Sequence, residues 1–293
     1  MHSFLRAVGF SNIKDHNELE QLLGVVMTTP NSLNKVTLNS NATFAQFSKQ
    51  YIDSCGIAIT GIYDEKGFFH LEHYFPYCSG GMISSQESVM INRRIDSETY
   101  TGMCDDMRLG VSLIFYLQNI SDYLQSNVSD STGRIVNISL SALSIKGTVI
   151  LGFKSDKDMI RKNKADTARR NKLISEAKNG NQDAIDSLTI EELDEYAMVT
   201  RRSKQEDIYT IVNSSFIPFG SESDNYTILG TIINWNKLTN YHTGEDVYCM
   251  TVNCNNLIFP VYINSDDLLG EPMIGRRFKG NVWLQGTIDF TEL

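Results

Sequence analysis

A stretch of opposite charge, residues 157–195, divides the chain. Eight Lys or Arg and three Asp or Glu lie in residues 157–178, whereas residues 183–195 carry six acids and no base. Gly180 stands between the two halves, where one helix would end and the next begin. The pattern predicts two antiparallel helices whose charges pair. Their apolar stripes are thin, so the pair must pack against the segments on either side.

Those flanking segments alternate between apolar and polar residues at the period of β-strands. The chain of 293 residues is longer than a typical single domain. We therefore predict three parts: an α+β antiparallel-sheet domain (1–155), a charged helical hairpin connector (156–207) and a small all-β domain (208–293). The last is expected to be an OB-like barrel or a sandwich. Within the connector, Thr189 and Glu192 have the spacing of a capping box and predict a helix start.

The first segment combines helical and strand patterns. Apolar residues at helical spacing predict one helix after Asp15 and another over residues 44–52. From residue 56 the period changes to two, and the polar turn at 64–67 predicts a β-hairpin. Further strands are predicted at 89–95, 109–117, 134–140 and 148–153. These elements predict a mostly antiparallel sheet with helices against one face.

The last predicted strand comes closest to marking a functional surface. In the second segment strands are predicted at 208–217, 227–235, 247–254, 257–263 and 276–290, with one helical turn at 265–270. In the last of them one parity is apolar and predicts the core: Phe278, Val282, Leu284 and Ile288. The opposite parity is predicted to face outward: Arg277, Lys279, Trp283 and Gln285. Trp and Arg are enriched at binding hot spots, so these four residues are the predicted docking surface, for the connector or for an outside partner.

Charge and cysteine content restrict the class of protein. The net charge of -9 divides into about -4, 0 and -5 over residues 1–153, 154–207 and 208–293. No part is basic, so nucleic acid is disfavoured as a partner, and an OB-like barrel that binds single strands is kept as an alternative. The five cysteines are odd in number and scattered, which predicts reduced thiols. The chain has no apolar run of membrane-spanning length, and residues 1–10 lack the order of a signal peptide, so a cytoplasmic location is expected.

The residues suited to catalysis give one enzyme hypothesis. His70 and Glu72 share a face of a predicted strand, and Asp105 lies in a predicted loop, so a hydrolase or transferase centred on these three is the alternative. His70 and His73 point to opposite faces of that strand, and no zinc site is predicted. Phosphate loops, dinucleotide fingerprints and nucleophile elbows do not occur, so no cofactor is predicted.

Four stretches resemble one protein family. They are MHSFLRAVGF (1–10), YDEKGFFHLEHYFP (63–76), GMCDD with RLGVSLIFYLQ (102–106 and 108–118) and GRRFKGNVWLQG (275–286). Nearly the whole chain resembles a family of uncharacterised proteins from clostridial Gram-positive bacteria. The resemblance implies a bacterial cytosolic protein and carries over no catalytic residue. The sequence thus favours a non-catalytic binding or interaction protein, whose protein or small-molecule partner it does not identify.

Overall fold

The computed structural model describes residues 2–13, 15–39, 42–94, 99–109, 111–126, 135–152, 157–206, 208–220 and 223–290, apart from the side chains at 157–167, 195 and 210. The helices are α1 (His16–Thr28), α2 (Ile120–Gln125), α3 (Lys157–Lys178), α4 (Gln182–Arg202) and α5 (Ile208–Ile211), with 3-10 helices at Ser3–Val8 and Ser265–Asp267. The strands of the first segment are β1 (Ser32–Asn39), β2 (Ala42–Ile52), β3 (Cys55–Tyr63), β4 (Phe69–Cys78), β5 (Ser85–Ser88), β6 (Met90–Arg93), β7 (Tyr100–Asp106), β8 (Val111–Leu117) and β9 (Ile135–Ile150). Those of the second are β10 (Ser215–Pro218), β11 (Asn225–Thr239), β12 (Asp246–Cys254), β13 (Leu257–Asn264), β14 (Leu268–Leu269) and β15 (Arg277–Ile288). The chain is therefore α+β.

The N-terminal part is a four-stranded antiparallel sheet in the order β1-β2-β3-β4. The predicted hairpin is confirmed as β3 and β4, and the predicted first helix is α1, where Asp15 accepts a hydrogen bond from the backbone of Glu18. The predicted helix at 44–52 is wrong, because these residues form β2. Phe44 and Ala45 are both buried, on opposite faces, and a bulge near Gln50 shifts the parity. Together these two features imitate the spacing of a helix.

Five strands close into a ring. Antiparallel pairs join β11 to β12, β12 to β13, β9 to β15 and β15 to β11, and a parallel pair joins β13 to β9. The two strands predicted at 134–140 and 148–153 are the single strand β9 as far as Ile150. Gly147, which lies between the two predicted strands, belongs to this single strand, and a Cβ atom there would come 2.4 Å from the ring of Phe278. The glycine is required by close packing rather than by a turn.

The ring joins the two β-rich segments. Its strand β9 comes from the first segment, and its other four strands come from the second. One hydrophobic core includes Leu140 and Ala142 of β9 together with Phe259 and Leu284. The predicted division at 155 and 207 falls on residues outside the described chain. Residues 208–293 alone do not close the ring, because they lack β9.

The second segment departs from prediction at its start. Residues 208–217 were predicted as one strand, but they contain α5 and then β10. The other predicted strands are confirmed as β11, β12, β13 and β15. The predicted helical turn at 265–270 is a 3-10 helix at Ser265–Asp267, capped by Asn264, whose side chain accepts from the backbone of Asp266.

The outer face of the ring is covered by the N-terminal part. A second core joins Ile59 and Phe75 of the four-stranded sheet to Tyr262 and Trp283 of the ring. The residues before α1 are also held to the second segment by polar contacts: Arg6 forms two hydrogen bonds of 2.6 Å with Asp267, and Asn240 Nδ2 donates to the carbonyl of Val8 at 2.8 Å. Strand β15 is therefore buried on both faces.

A disulfide joins Cys55 of β3 to Cys78 of β4. The two residues are directly opposite each other at the ends of the antiparallel pair, and both are fully buried. The prediction of reduced thiols is wrong for this pair because strand pairing brings together two cysteines that are 23 residues apart. Cys104, Cys249 and Cys254 are free thiols, as predicted.

The charged stretch forms the predicted pair of antiparallel helices, α3 and α4. Gly180 has a φ of 81° between them, and Asn181 caps α4 by accepting from the backbone of Ala184. The predicted charge pairing is confirmed by ion pairs of Arg169 with Glu191 and of Arg170 with Glu192. The capping-box prediction is wrong.

Thr189 lies in the middle of α4 because the helix already begins at Gln182. Its hydroxyl donates to the carbonyl of Ile185 at 2.9 Å, a bond made within a helix rather than at its start. The side chains of α3 at 157–167 lie outside the described residues, and they include four of the eight Lys or Arg for which charge pairing is predicted.

Candidate binding cavity

The predicted outward surface of the last strand is largely buried. Trp283 is 5% exposed, Arg277 is 6% exposed and Gln285 is fully buried, whereas Lys279 is half-buried. The apolar parity was identified correctly, since Phe278, Val282, Leu284 and Ile288 all lie in the core. The outward orientation of the opposite parity is wrong for Arg277, Trp283 and Gln285, because the N-terminal part and the segment after α4 cover that face.

Arg277 and Lys279 hold the segment that follows the helical pair. The guanidinium of Arg277 donates to the backbone carbonyls of Leu151, Tyr209 and Val212 at 2.8 to 3.1 Å. Lys279 Nζ donates a hydrogen bond to the hydroxyl of Tyr209 and lies 4.4 Å from the centre of the tyrosine ring. Burial lowers the pKa of Arg277. These two cations therefore dock an element of this chain.

Gln285 connects the two sheets. Its Nε2 donates to the carbonyl of Pro76 on β4 at 2.8 Å, and its Oε1 accepts from Gln118 Nε2 at 2.8 Å. Gln118 also donates to the carbonyl of Cys78. The side chain is fully used in protein contacts, which satisfies its polar atoms in the interior.

The residues of the enzyme hypothesis lie on different sheets. His70 is on β4 of the four-stranded sheet, where its Nε2 is 2.9 Å from Asp64 Oδ2, and Glu72 is exposed on the same strand. Asp105 is on β7, where it accepts from Ser112. Strand β7 belongs to the sheet that contains the ring, to which it is joined through β8 and β15. His70 and Asp105 are thus engaged with different partners, Asp64 and Ser112, on different sheets.

A cavity of about 340 Å³ lies where the N-terminal part meets β15. We call it the aromatic cavity. It is lined by His2, Ser3, Phe4, His73, Arg94, Thr99, Tyr116 and Trp283. The ring of Trp283 is 4.8 Å from that of His2, 5.5 Å from Phe4 and 5.0 Å from Tyr116. Aromatic side chains from the N-terminal segment and from β8 thus surround one indole.

A buried carboxylate supports this cavity from behind. Asp224, which is fully buried, accepts through Oδ2 from Trp283 Nε1 at 3.0 Å and from Arg94 Nη2 at 2.7 Å. Its backbone carbonyl accepts from the amide of Leu284 at 2.9 Å. Arg94 is 39% exposed and is the only Arg or Lys among the described residues that line the cavity. Asp224 therefore fixes the position of both the indole and the guanidinium.

The histidines of the cavity are held neutral. Burial, helped by repulsion from His73 and from the N-terminus, lowers the pKa of His2 to about 4. Burial and the charge of Arg94 also lower the pKa of His73. Burial raises the pKa of Tyr116. At neutral pH the cavity thus offers two uncharged imidazoles, one phenol and one cation.

Three buried polar atoms around the cavity have no hydrogen-bond partner among the described residues: His2 Nδ1, Tyr116 Oη and Asp224 Oδ1. Buried polar atoms are nearly always paired, so unpaired ones in a native protein call for an explanation. Each atom belongs to a side chain that contacts Trp283 directly. His2 and Tyr116 do so through their rings, and Asp224 does so by accepting the hydrogen bond from the indole. A bound polar molecule, or a small shift of these side chains around it, would satisfy them.

Trp283 was selected from the sequence by residue type, but its neighbours were not. His2 and Phe4, His73, Arg94 and Tyr116 come from four separate places in the chain. Long-range strand pairing brings them together, and no local pattern reports such pairing. The described residues contain no group of three or more His, Cys, Asp or Glu suited to a metal ion. They also contain no helix of the length and hydropathy needed to cross a membrane.

Comparison with known proteins identifies the family. A family model described as "Domain of unknown function, E. rectale Gene description (DUF3881)" matches residues 5–286. No curated protein matches the chain. No solved structure matches it either. The match covers nearly the whole sequence and agrees with the clostridial resemblance noted in its motifs. The chain therefore belongs to the DUF3881 family.

Proposed function

We propose that this protein is a binding protein whose aromatic cavity takes a small planar molecule with a carboxylate group. The observation that carries the proposal is the arrangement of Arg94 beside Trp283, with unpaired buried polar atoms around them. Trp283, predicted as a binding residue, keeps that role here as an inner wall rather than as an outer surface.

Size and chemistry support this ligand class. A volume of about 340 Å³ lies at the lower end of the range of small-molecule sites, about 300–1,000 Å³. Indole, phenol and phenyl rings favour a planar ligand through offset or edge contacts. The guanidinium of Arg94 uses Nη2 for Asp224, and its remaining N–H groups can pair with a carboxylate. The two neutral imidazoles add hydrogen bonds without adding charge.

The closed ring of five strands supports the interpretation of the second segment as part of an OB-like barrel. Five strands is the strand number of the OB barrel, although here the first segment contributes one of them. We propose an OB-like barrel completed by β9. Binding of single strands is less favoured, because the chain carries a net charge of -9 and a polyanion would be repelled.

Non-catalytic binding and a cytoplasmic location complete the proposal. The residues of the enzyme hypothesis are engaged in separate pairs, as His70 with Asp64 and Asp105 with Ser112. A disulfide is uncommon in the cytoplasm. Cys55 and Cys78 are fully buried, however, and burial shields the bond from thiol reductants.

The test uses Trp283 as its own reporter. The chain has two tryptophans, so Trp235→Phe leaves Trp283 as the single emitter. This protein is titrated with benzoate, and with benzamide as the uncharged counterpart. We expect the emission of Trp283 to change saturably with benzoate. The affinity for benzoate should be at least about tenfold higher than the affinity for benzamide. No saturable change with millimolar benzoate would overturn the proposal.

Two arginine variants supply the control. Arg94→Gln keeps a donor for Asp224 and removes the charge from the cavity, so benzoate affinity should fall about tenfold. Arg93→Gln removes the same charge one residue earlier, from an exposed side chain of β6. Equal loss in both variants would mean that general charge, and not the cavity, attracts benzoate.

A further inference from the structure

A second cavity, of about 780 Å³, lies between the helical pair and one end of the ring. We call it the helical-pair cleft. Its polar lining includes Arg108, Arg169, Arg170, Asn213, Asn253 and Asn255. Glu191 is the one carboxylate among the described residues that line it. The cleft is therefore rich in hydrogen-bond donors, and its volume lies within the range of small-molecule sites.

Two arginines of α3 are placed to bind an anion. Arg169 and Arg170 line the cleft with side chains that are 67% and 28% exposed. Each forms one ion pair with α4 through a single nitrogen, and the Arg170–Glu192 pair is long, at 3.4 Å. Ion pairs that are open to solvent in this way stabilise a protein only slightly. A guanidinium has five N–H donors, so both arginines can bind an incoming anion at little cost.

Arg108 is a fixed part of the wall. Its guanidinium donates to the buried carboxylate of Asp106, to the carbonyl of Ser84 and to the carbonyl of Asn256. These bonds use all of its nitrogens. Arg108 joins β7 to the turn between β12 and β13, and it holds that turn beside the arginines of α3.

That turn presents asparagine amides to the cleft. Asn255 and Asn256 have φ values of 51° and 64°, the left-handed conformation that a two-residue hairpin turn requires and that Asn tolerates. The side-chain oxygen of Asn253 accepts from the backbone of Asn256 at 3.0 Å, and that of Asn255 accepts from the hydroxyl of Ser214. With the oxygens used inside the protein, the Nδ2 amide groups of Asn253 and Asn255 are left as donors for a ligand.

We propose that the helical-pair cleft binds a phosphorylated small molecule of nucleotide size. Arg169 and Arg170 hold the phosphate groups, and the amides of Asn253 and Asn255 donate to acceptor atoms on the rest of the molecule. Arginine pairs with phosphate through charge-assisted, often bidentate hydrogen bonds. The site is separate from the aromatic cavity and shares no lining residue with it.

Calorimetric titration of the full chain with ADP, and with inorganic pyrophosphate, tests the proposal. ADP should bind more tightly than pyrophosphate, because only ADP reaches the asparagine amides. The double variant Arg169→Gln/Arg170→Gln should weaken ADP binding at least about tenfold. Absence of ADP binding at millimolar concentration would overturn the proposal, and so would pyrophosphate binding as tight as that of ADP.

A matched double variant removes the same amount of charge from the helical pair, one base from each helix, outside the cleft. Lys172 is 78% exposed on α3 and Arg201 is exposed at the end of α4, and neither lines the cleft. Lys172→Gln/Arg201→Gln should leave ADP affinity unchanged. Equal weakening in both double variants would show general electrostatic attraction and refute a site. Circular dichroism of each variant checks that the helices persist.

Discussion

Trp283 donates its indole N–H to Oδ2 of Asp224 at 3.0 Å, and Asp224 is fully buried. The same oxygen accepts from Arg94 at 2.7 Å. One carboxylate thus links β15 to the end of β6, and its second oxygen is unpaired within the described chain. A buried carboxylate is tolerated only with such partners, so this link is sensitive to the loss of any one of the three groups.

We expect Asp224→Ala to lower the free energy of unfolding by about 3–5 kcal/mol, because it leaves Arg94 and the indole N–H without their acceptor. Asp224→Asn should cost less, since an amide oxygen in the place of Oδ2 can still accept from both donors. Urea unfolding gives the free energy of unfolding of each variant. Asp246→Asn is the control, because Asp246 pairs with Lys237 at the surface and should cost about 0–1 kcal/mol. A similar cost for the two aspartates would contradict the buried link.

Trp283→Ala is expected to destabilise the whole protein by about 3–5 kcal/mol, the usual cost of removing a buried aromatic side chain. A surface-exposed docking tryptophan would instead leave the fold intact. The other tryptophan provides the comparison: Trp235 is 36% exposed on β11, and Trp235→Ala should cost about 1 kcal/mol or less. Thermal unfolding that ranks the two variants in the opposite order would place Trp283 outside the core.

The two β-rich segments should fold together. Residues 208–293 expressed alone lack β9, which pairs with both β13 and β15, so two strand edges are left unpaired and we expect no cooperative unfolding from this fragment. The full chain with a protease site inserted at Gly180 is the matched control. After cleavage its two halves should elute together on size exclusion, held by the shared sheet. A stable, cooperative 208–293 fragment would instead support an independent domain.

The sequence predicted features that depend on near neighbours. The charge pattern and Gly180 were enough to predict the helical pair. The alternation of apolar and polar residues in β15 was enough to predict that Phe278 and Leu284 lie in the core. Both faces of β15 are buried, however, and the cover on the second face comes from residues near the other end of the chain. A polar or charged residue on a strand normally indicates a side chain that faces solvent. Gln285 is instead buried, and its side chain forms hydrogen bonds with Pro76 and Gln118. Such partners are set by long-range pairing, which the alternation of one strand does not report.

The pH dependence of stability should reveal His2. Burial lowers its pKa to about 4 in the folded protein, against an ordinary value of 6.5. As the pH falls below 6.5, the unfolded chain binds a proton at this residue and the folded protein does not, so unfolding is favoured. The contribution of His2 is fully present above pH 6.5 and is lost between pH 6.5 and about 4. A difference of this size corresponds to at most about 3 kcal/mol.

His2→Gln should flatten this part of the pH profile, because glutamine binds no proton and fits the same place. Urea midpoints measured from pH 7.5 to 4.5 give the slope for each protein. Carboxylates also contribute to the slope, but they are common to the variants and cancel in the difference. His16→Gln is the control: the side chain of His16 is 80% exposed on α1, and its loss should leave the slope unchanged. If the slopes of His2→Gln and the unmodified protein coincide, His2 is not buried as a neutral imidazole, and the inner end of the aromatic cavity is open to water.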